Sequence, residues 1–390
     1  ANGDNDTFPL WYNQETEGVR TDARVCNLSY LQTDWYIDQM RRPAYDSPSL
    51  PISWTRLQYV TGTREGIPVQ PDALQQVIDY YKDSPEDLKQ MLGDNPYELK
   101  NIIRHWVLND NPDLQIFPTD SIVVTVDKEA VKRSGMMIAA DSIPDVMHIS
   151  LKGKRAVYKS EMMMLEMISQ ANWERPLYMS TTVGPDNYGH LGDNFVQEGL
   201  ACRITPFDTK QSGRTIDSER MYNNMMNKFK YGGLKENPDI YLDETVIRMC
   251  YTHRRLFNQL AQQLLKEGQK DKALKVLQRA EEEIPGSIVP HEAFYGHSLE
   301  LADAWLALGH KAEAEKLLNA VGQNAKEYIE WYLSLNTQRL LQSSRECLMQ
   351  IYILNDIAKT WEPIDKKKAE TYRMEVNNYA SRCHQRGMSL

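Results

Sequence analysis

Residues 2–36 read NGDNDTFPLWYNQETEGVRTDARVCNLSYLQTDWY, and this stretch concentrates carboxylates, amides and aromatic rings more than any other part of the chain. An Asp- and Asn-rich turn comes first, and Asp6 or Thr7 followed by a proline predicts the start of a helix. Residues 24–30 are predicted as a strand. A second polar and aromatic cluster, 33–36, comes after that strand, so this part of the chain is predicted to supply two loops of one site.

If both loops follow strands of a parallel sheet, they lie at the carboxyl ends of those strands, where open α/β sheets bind ligands. The candidate ligand-binding residues lie in or next to these loops, or at the exit of a later predicted strand: Asp4, Asn5, Asp6, Thr7, Trp11, Tyr12, Asn27, Asp34, Trp35, Tyr36, Thr181 and His190. The alternative interpretation is that Asp4, Asp6 and Asp34 only cap helices and form turns, which is the commoner use of such residues.

Length and composition set the class of protein. The 390 residues are enough for two or three domains, and a hydrophobic content of 41% is sufficient for ordinary packed cores. A net charge of −9 argues against a nucleic-acid partner, which needs a basic face. Tyr and Trp, at 21 and 8, outnumber the 7 Phe. Both combine an apolar ring with a polar group, as residues of sugar and peptide sites do.

The sequence gives no sign of a metal site or a cofactor. Its five cysteines are scattered without a CxxC pair, and its eight histidines show no HExxH spacing. No catalytic motif is complete, so no residue is assigned a catalytic role. No run approaches the roughly 20 apolar residues that cross a bilayer. The chain also begins inside a motif, which predicts that it is the soluble part of a longer protein.

Strands and helices alternate over the first half of the chain. Four runs are predicted as strands: 121–126 (SIVVTV), 147–151, 177–182 and 200–204. The Met-rich segment 157–171 has helical periodicity and is predicted to pack in a core. This alternation predicts that residues 1–206 form an α/β domain with a Rossmann-like, layered and mostly parallel sheet.

The remainder of the chain is predicted to be helical. Residues 207–240 are polar and rich in Met and Asn, and we interpret them as a linker with one helix. In 241–390, two segments around Gly268 and Gly309 share seven offsets of small and apolar residues, which is typical of tetratricopeptide repeats. The two glycines are predicted to form the turn inside each helical pair.

Several motifs together resemble a known family. They are NGDNDTFPLWY (2–12), EGVRTDARVCNLSYLQTDWYIDQM (17–40), NWERPLYMSTTVG (172–184), MYNNMMNKFKYGG (221–233) and YLDETVIRM (241–249). In wording and order they resemble the carboxyl-terminal soluble part of domain-of-unknown-function family 2723. These are protein O-mannosyltransferase-like membrane glycosyltransferases of Gram-negative bacteria.

This resemblance implies a membrane domain upstream, which would be a partner of the chain, and a location on the periplasmic face of the inner membrane. In such transferases the catalytic carboxylate lies in the membrane domain. The resemblance therefore implies that this part of the protein is not itself catalytic, and that it holds or presents a protein or glycan acceptor. Tyr295 and Trp305 are the candidate residues for a peptide-binding groove in the helical domain.

Two alternatives stay open. In one, the α/β domain is a metal-assisted hydrolase or transferase that uses Asp4, Asp6 and Asp34, because hard oxygen ligands bind divalent cations. The alternation of Asn2, Asp4 and Asp6 is weakly similar to a calcium loop, although the downstream Gly and Glu are lacking. In the other, the chain is only a platform for assembly.

Overall fold

The structure, a computed structural model, describes residues 1–137, 142–237 and 239–388. Pro238 of the predicted linker and the last two residues of the chain lie outside this description. The chain divides into two compact units, unit 1 (Ala1–Asp217) and unit 2 (Ser218–Leu390). Each unit is described by itself, and the predicted domain limits 1–206, 207–240 and 241–390 stay predictions.

Unit 1 contains nine short helices and seven short strands among its described residues. The helices are α1 (Asp4–Glu15), α2 (Asp34–Met40), α3 (Arg56–Tyr59), α4 (Ala73–Tyr80), α5 (Pro85–Leu92), α6 (Leu99–Ile102), α7 (Lys128–Arg133), α8 (Lys159–Gln170) and α9 (Thr209–Ser212). The strands are β1 (Gly66–Pro68), β2 (Ser121–Thr125), β3 (Val146–Ser150), β4 (Ala156–Tyr158), β5 (Tyr178–Ser180), β6 (Phe195–Gln197) and β7 (Ala201–Ile204). A π-helical turn, Ile103–Val107, continues α6.

The strands form three small antiparallel sheets, so the predicted parallel, Rossmann-like layer is wrong. The sheets are β1–β4, β2–β3 and β5–β7–β6. Within the described residues, parallel pairing is limited to isolated bridges such as Val69 with Phe117. The predicted strands do form at 121–125, 146–150, 178–180 and 201–204. The error was in their pairing.

The physical reason lies in the pattern of the strands themselves. β2 and β3 bury every second residue and expose the others. Such alternation is typical of antiparallel sheets with one solvated face, whereas strands of a buried parallel sheet are apolar throughout. The segment between β2 and β3 contains the six-residue α7. The alternation of helices and strands was therefore misread as a series of crossovers.

The core of unit 1 gathers around α8. This helix buries Met162, Met163, Met164, Leu165 and Ile168, which confirms that the Met-rich segment packs in a core. Unbranched Met side chains fill irregular gaps well, and here the surrounding elements are short and variously oriented.

Polar side chains of α8 and of the loop after it connect distant parts of unit 1. The buried Glu166 carboxylate accepts hydrogen bonds from the backbone N–H and the hydroxyl of Ser53, at 2.8 and 2.6 Å. Arg175 donates to the carbonyls of Pro48 and Ser49 at 3.3 and 3.0 Å and to the Ser47 hydroxyl at 2.9 Å. We call these contacts of Arg175 the Arg175 clamp.

Unit 2 is helical in all its described regular structure. Its helices are α10 (Ser218–Asn223), α11 (Glu244–Lys266), α12 (Lys270–Glu283), α13 (Ser298–Ala307), α14 (Lys311–Ser334), α15 (Thr337–Gln342), α16 (Ser344–Trp361) and α17 (Lys366–Gln385). A π-helical turn, Asn224–Lys228, continues α10. Three helical pairs pack together, α11 with α12, α13 with α14 and α16 with α17. The prediction of a helical C-terminal region is therefore confirmed.

The turns inside the first two pairs are the predicted ones. Gly268 and Gly309 have φ of 76° and 84°, in the left-handed region that glycine adopts without a Cβ penalty. Ala261, Ala273 and Ala302 are fully buried, so the paired helices approach closely.

Arg254 of α11 is the buried cation of this unit. It is completely buried, and its guanidinium donates to the carbonyls of Ile284, Val289 and Pro290 at 2.9, 2.8 and 3.0 Å. Burial lowers the pKa of this guanidinium from its usual value. The contacts fix the connection between α12 and α13.

Candidate functional site

Four aromatic rings form a continuous chain on unit 1, which we call the aromatic surface: Phe8, Trp11, Tyr30 and Trp35. Ring centroids are 5.8 Å apart for Phe8 and Trp11, 6.4 Å for Trp11 and Tyr30, and 5.9 Å for Tyr30 and Trp35. Phe8 and Trp11 lie three residues apart on α1, so they share a face of the helix. Trp35 comes from the first turn of α2.

This surface is unusually exposed for rings of this size. Phe8 is 50% and Trp35 is 54% accessible, while Trp11 and Tyr30 are half-buried. Tyr12, also on α1, is exposed and donates to Glu17 at 3.2 Å. Exposed apolar groups that form a contiguous patch mark interaction sites, in contrast to single exposed residues.

A buried hydrogen-bond network lies beneath these rings. The Thr7 hydroxyl donates to Gly3 O at 2.9 Å and accepts from Asn27 Nδ2 at 2.9 Å. The backbone N–H of Asn27 donates to the Tyr36 hydroxyl at 2.8 Å, and burial is the main cause of the raised pKa of this phenol. Thr7, Asn27 and Tyr36 are buried, so these three candidate residues support the surface and are not available to a ligand.

The predicted strand at 24–30 is also wrong, and this network explains why. The Asn27 side-chain oxygen accepts from the Tyr30 N–H at 3.2 Å, which closes a local turn. Asn and Asp side chains form such turns in competition with regular structure. The segment therefore runs irregularly into the single turn Tyr30–Gln32.

The three candidate carboxylates face different neighbours. Asp4 is exposed at the start of α1, and Asp6 accepts a hydrogen bond from the Thr182 hydroxyl. Asp34 lies 3.7 Å from Arg56 and accepts from the Thr61 N–H at 3.4 Å, and that hydrogen bond is the first cause of its lowered pKa. Within the described residues, no group of three or more His, Cys, Asp or Glu side chains is placed to hold a metal ion.

The remaining candidates of unit 1 are Asn5, Thr181 and His190. Asn5 is exposed on α1. Thr181 donates its hydroxyl to Leu200 O at 3.2 Å, as part of the turn next to β5. His190 lines a wide cleft of about 1300 Å³ and adopts a left-handed backbone with φ of 65°. Such a conformation is uncommon for a residue with a side chain.

His190 has charged neighbours that the sequence analysis missed. Lys154 and Glu161 form an ion pair at the wall of the same cleft. The pKa of His190 is lowered, mainly by burial and then by the positive charge of Lys154. No spacing in the sequence connects these three residues. Phe8 and Tyr30 were missed as well, although the aromatic composition of residues 2–36 was a sufficient signal for both.

The two groove candidates of unit 2 have opposite environments. Tyr295 is 63% exposed, and the Arg248 guanidinium lies 5.9 Å from its ring centroid. Trp305 is only 4% exposed and packs against His310, so its ring is not accessible in this structure, and its role as a groove contact stays a prediction. It belongs to the apolar stripe of α13 and faces the interior. The Glu292 carboxylate fixes the Tyr295 loop by accepting from the N–H groups of 294–296.

None of the helices in the described ranges is both long enough and apolar enough to cross a bilayer.

The comparisons with known proteins identify one family. A family model described as TMEM260-associated domain 2 matches residues 1–224, which include all of unit 1. No curated protein and no solved structure matches the chain. The resemblance to domain-of-unknown-function family 2723 was therefore wrong: the motifs in 2–12, 17–40 and 172–184 fall within the matched range. The match covers more than half of the sequence, and the chain belongs to the TMEM260-associated domain 2 family, which is related to membrane proteins.

Proposed function

We propose that this chain is a non-catalytic binding module that holds a protein or glycan acceptor for a membrane-associated assembly. The aromatic surface of Phe8, Trp11, Tyr30 and Trp35 is the observation that carries the proposal. Rings of this kind stack on the apolar faces of sugars or pack on apolar side chains, and they lose little conformational entropy when they bind.

The surroundings of the rings support binding and not catalysis. Thr7, Asn27 and Tyr36 are engaged in internal hydrogen bonds, which hold the rings in place. Asp4 and Asn5 are exposed on the same helix as Phe8 and are available to sugar hydroxyls. The metal-assisted reaction loses its support, because Asp6 and Asp34 have separate partners, Thr182 and Arg56.

The test is glycan and peptide binding by the full chain, measured on an array and then by calorimetry. We expect Trp35→Ala to weaken binding about tenfold or more, which corresponds to about 1.4 kcal/mol. The matched control is Leu57→Ala, an apolar residue of unit 1 that is 81% exposed. If Trp35→Ala and Leu57→Ala bind equally well, the aromatic surface is not the site. Failure of every glycan and peptide to bind would favour the assembly platform.

Unit 2 offers a second candidate site, for a peptide. Its paired helices with glycine turns support a tetratricopeptide-like fold, and such folds bind peptides on an extended surface. The specific observation is Tyr295, which is exposed, fixed by Glu292 and flanked by Arg248. Tyr295→Ala is expected to weaken peptide binding, whereas Tyr352→Ala, at 61% exposure on α16, is the control.

The location of the chain is also part of this proposal. We propose that the chain lies on the periplasmic face of a membrane and contacts an upstream membrane domain. The matched family is related to membrane proteins, which supports an association with a membrane but does not indicate the side. The glycosyltransferase activity depended on the family 2723 resemblance, so it is no part of the proposal. Fractionation of cells that express the full-length protein, with protease added from outside the membrane, tests the location.

A further inference from the structure

The register of the β2–β3 hairpin determines which backbone groups face the partner strand and which face outward. Val126 N–H donates to Asp145 O at 3.0 Å, and Leu151 N–H donates to Asp120 O at 2.7 Å. Since bonded pairs alternate along an antiparallel ladder, residues 145, 147, 149 and 151 face β2. The backbone groups of Val146, His148 and Ser150 therefore point to the outer edge of β3.

The outer edge of β2 is fully covered. Each outward N–H group has a partner: Ser121 donates to Thr119 Oγ1 at 3.1 Å, Val123 to Tyr97 O at 3.0 Å and Thr125 to the Glu98 carboxylate at 3.0 Å. Proteins cover sheet edges in this way because an open row of N–H and C=O groups pairs readily with another strand.

The outer edge of β3 is open. None of the hydrogen bonds formed by the described residues uses the outward backbone groups of Val146, His148 or Ser150. The side chains of His148 and Ser150 are exposed. No proline or β-bulge interrupts the five residues of β3. These two features, which commonly prevent an edge from pairing with another strand, are therefore lacking in this strand.

A cleft of about 1300 Å³ is lined by the three residues with unpaired backbone groups, Val146, His148 and Ser150. The loops 185–194 and 206–212 contribute further lining residues, such as His190 and Phe207. Of β2, only Ser121 and Ile122 line the cleft, at the end where they pair with Ser150 and Ile149. The named lining residues all belong to unit 1.

We propose that the outer edge of β3 is a docking site for an extended peptide segment of a partner protein, which adds to the hairpin as a third strand. Main-chain hydrogen bonds to Val146, His148 and Ser150 would supply affinity, and the cleft would select the side chains.

The charges of the cleft specify the peptide further. Among the charged lining residues, Lys154 pairs with Glu161, and Asp145 pairs with Lys128 outside the cleft lining. The other charged lining residues are Lys152, Asp186, Asp193 and Asp208. A segment that carries acidic side chains near Lys152 and basic side chains near the three aspartates is complementary to these charges. The aromatic surface is not involved, so this inference goes beyond the proposed function.

The decisive variant is His148→Pro. Proline removes one outward N–H group and places its ring in the path of an added strand, but it leaves the β2–β3 bonds intact, because the N–H of His148 does not face β2. His148→Ala is the matched control, since it keeps the N–H and removes only the imidazole. Met147→Pro removes an inward N–H and is expected to lower the melting temperature, whereas His148→Pro retains it.

The probe is a display library of linear peptides long enough to span β3, selected against the full chain. Enriched peptides are expected to bind His148→Pro at least about tenfold more weakly, and His148→Ala within about threefold. Amide exchange gives an independent readout. In the free protein we expect the amides of 146, 148 and 150 to exchange fast and those of 147 and 149 slowly, and we expect bound peptide to slow the first group.

Three results would overturn the proposal: no enrichment from the library, equal binding by the wild type and His148→Pro, or a wild-type dimer in light scattering that becomes a monomer in His148→Pro. The last result would show that a second copy of the chain occupies the edge. Trp35→Ala is expected to leave peptide binding at β3 unchanged, so failure of the aromatic surface and failure of the β3 edge are distinguishable.

Discussion

The internal contacts that stabilise unit 1 differ from those that stabilise unit 2. In unit 1, single polar side chains connect segments that are far apart in the sequence, as Glu166 does with Ser53 and as the Arg175 clamp does. In unit 2, neighbouring helices pack through buried small residues such as Ala261 and Ala302. Unit 1 therefore adds a few hydrogen bonds between distant segments to its apolar core, whereas the stability of unit 2 is spread over many similar contacts between neighbouring helices.

In unit 2, the loss of the buried Arg254 is expected to have the largest effect on stability. Arg254→Ala leaves three carbonyls without a donor, and it creates a cavity where the buried side chain lay. We therefore expect a loss of about 4 kcal/mol in the free energy of unfolding. Urea denaturation measures it. Arg248→Ala, on the exposed face of the same helix, is the control. A loss below about 1 kcal/mol would show that the connection is held by other contacts.

The next largest effect is expected in unit 1. Glu166→Ala removes the acceptor for the backbone N–H and the hydroxyl of Ser53, and should destabilise the unit by about 2–3 kcal/mol. Ser53→Ala removes only the hydroxyl bond, so about half of that loss is expected. Equal losses in the two variants would show that the backbone bond contributes nothing.

Substitution of one glycine in each unit is expected to change stability by a smaller amount. Gly309→Ala should cost about 1 kcal/mol, because φ is 84° and no described atom lies within 4 Å of the added Cβ, so the penalty is purely conformational. Gly184→Ala in unit 1 has equal space but a φ of −72°, so it should be neutral or slightly stabilising. Thermal unfolding of both variants measures the difference. A destabilised Gly184→Ala would contradict it.

The smallest effect is expected from His253. Burial lowers the pKa of this imidazole on α11, so the native state resists its protonation. As pH falls below the ordinary value of about 6.5, the unfolded state binds a proton that the native state does not, and stability falls with it. His253→Gln should reduce the slope of unfolding free energy against pH in that range. An unchanged slope would show that the pH dependence of stability arises from other titratable groups.

The helices of unit 2 could be predicted because the residues that specify them lie close together in the sequence. The turn glycines Gly268 and Gly309 and the small residues around them lie at fixed offsets, and packing follows from the helical period. Trp305 shows the limit of this approach. Its place in the apolar stripe of Leu301 and Ala302 was a better guide to its burial than its aromatic character.

In unit 1 the strands could be located but not paired. The alternation of buried and exposed residues indicates antiparallel pairing, but it does not identify the partner strand: β1 pairs with β4, which lies far along the sequence. The candidate site could be predicted only in part, because it too depends on contacts between residues that are distant in the sequence. The aromatic composition of residues 2–36 identified the region, but the use of Thr7, Asn27 and Tyr36 as internal supports depends on a bond between positions 20 residues apart.

The Arg175 clamp has a consequence for the order of events during folding. Arg175 and Ser47 are 128 positions apart, so their contact closes a very long loop, and folding slows when native contacts are distant in sequence. During synthesis, the segment around Ser47 stays without this partner until Arg175 has left the ribosome. The helical pairs of unit 2 close over much shorter distances. We therefore expect unit 1, although it is synthesised first, to give the slower refolding phase.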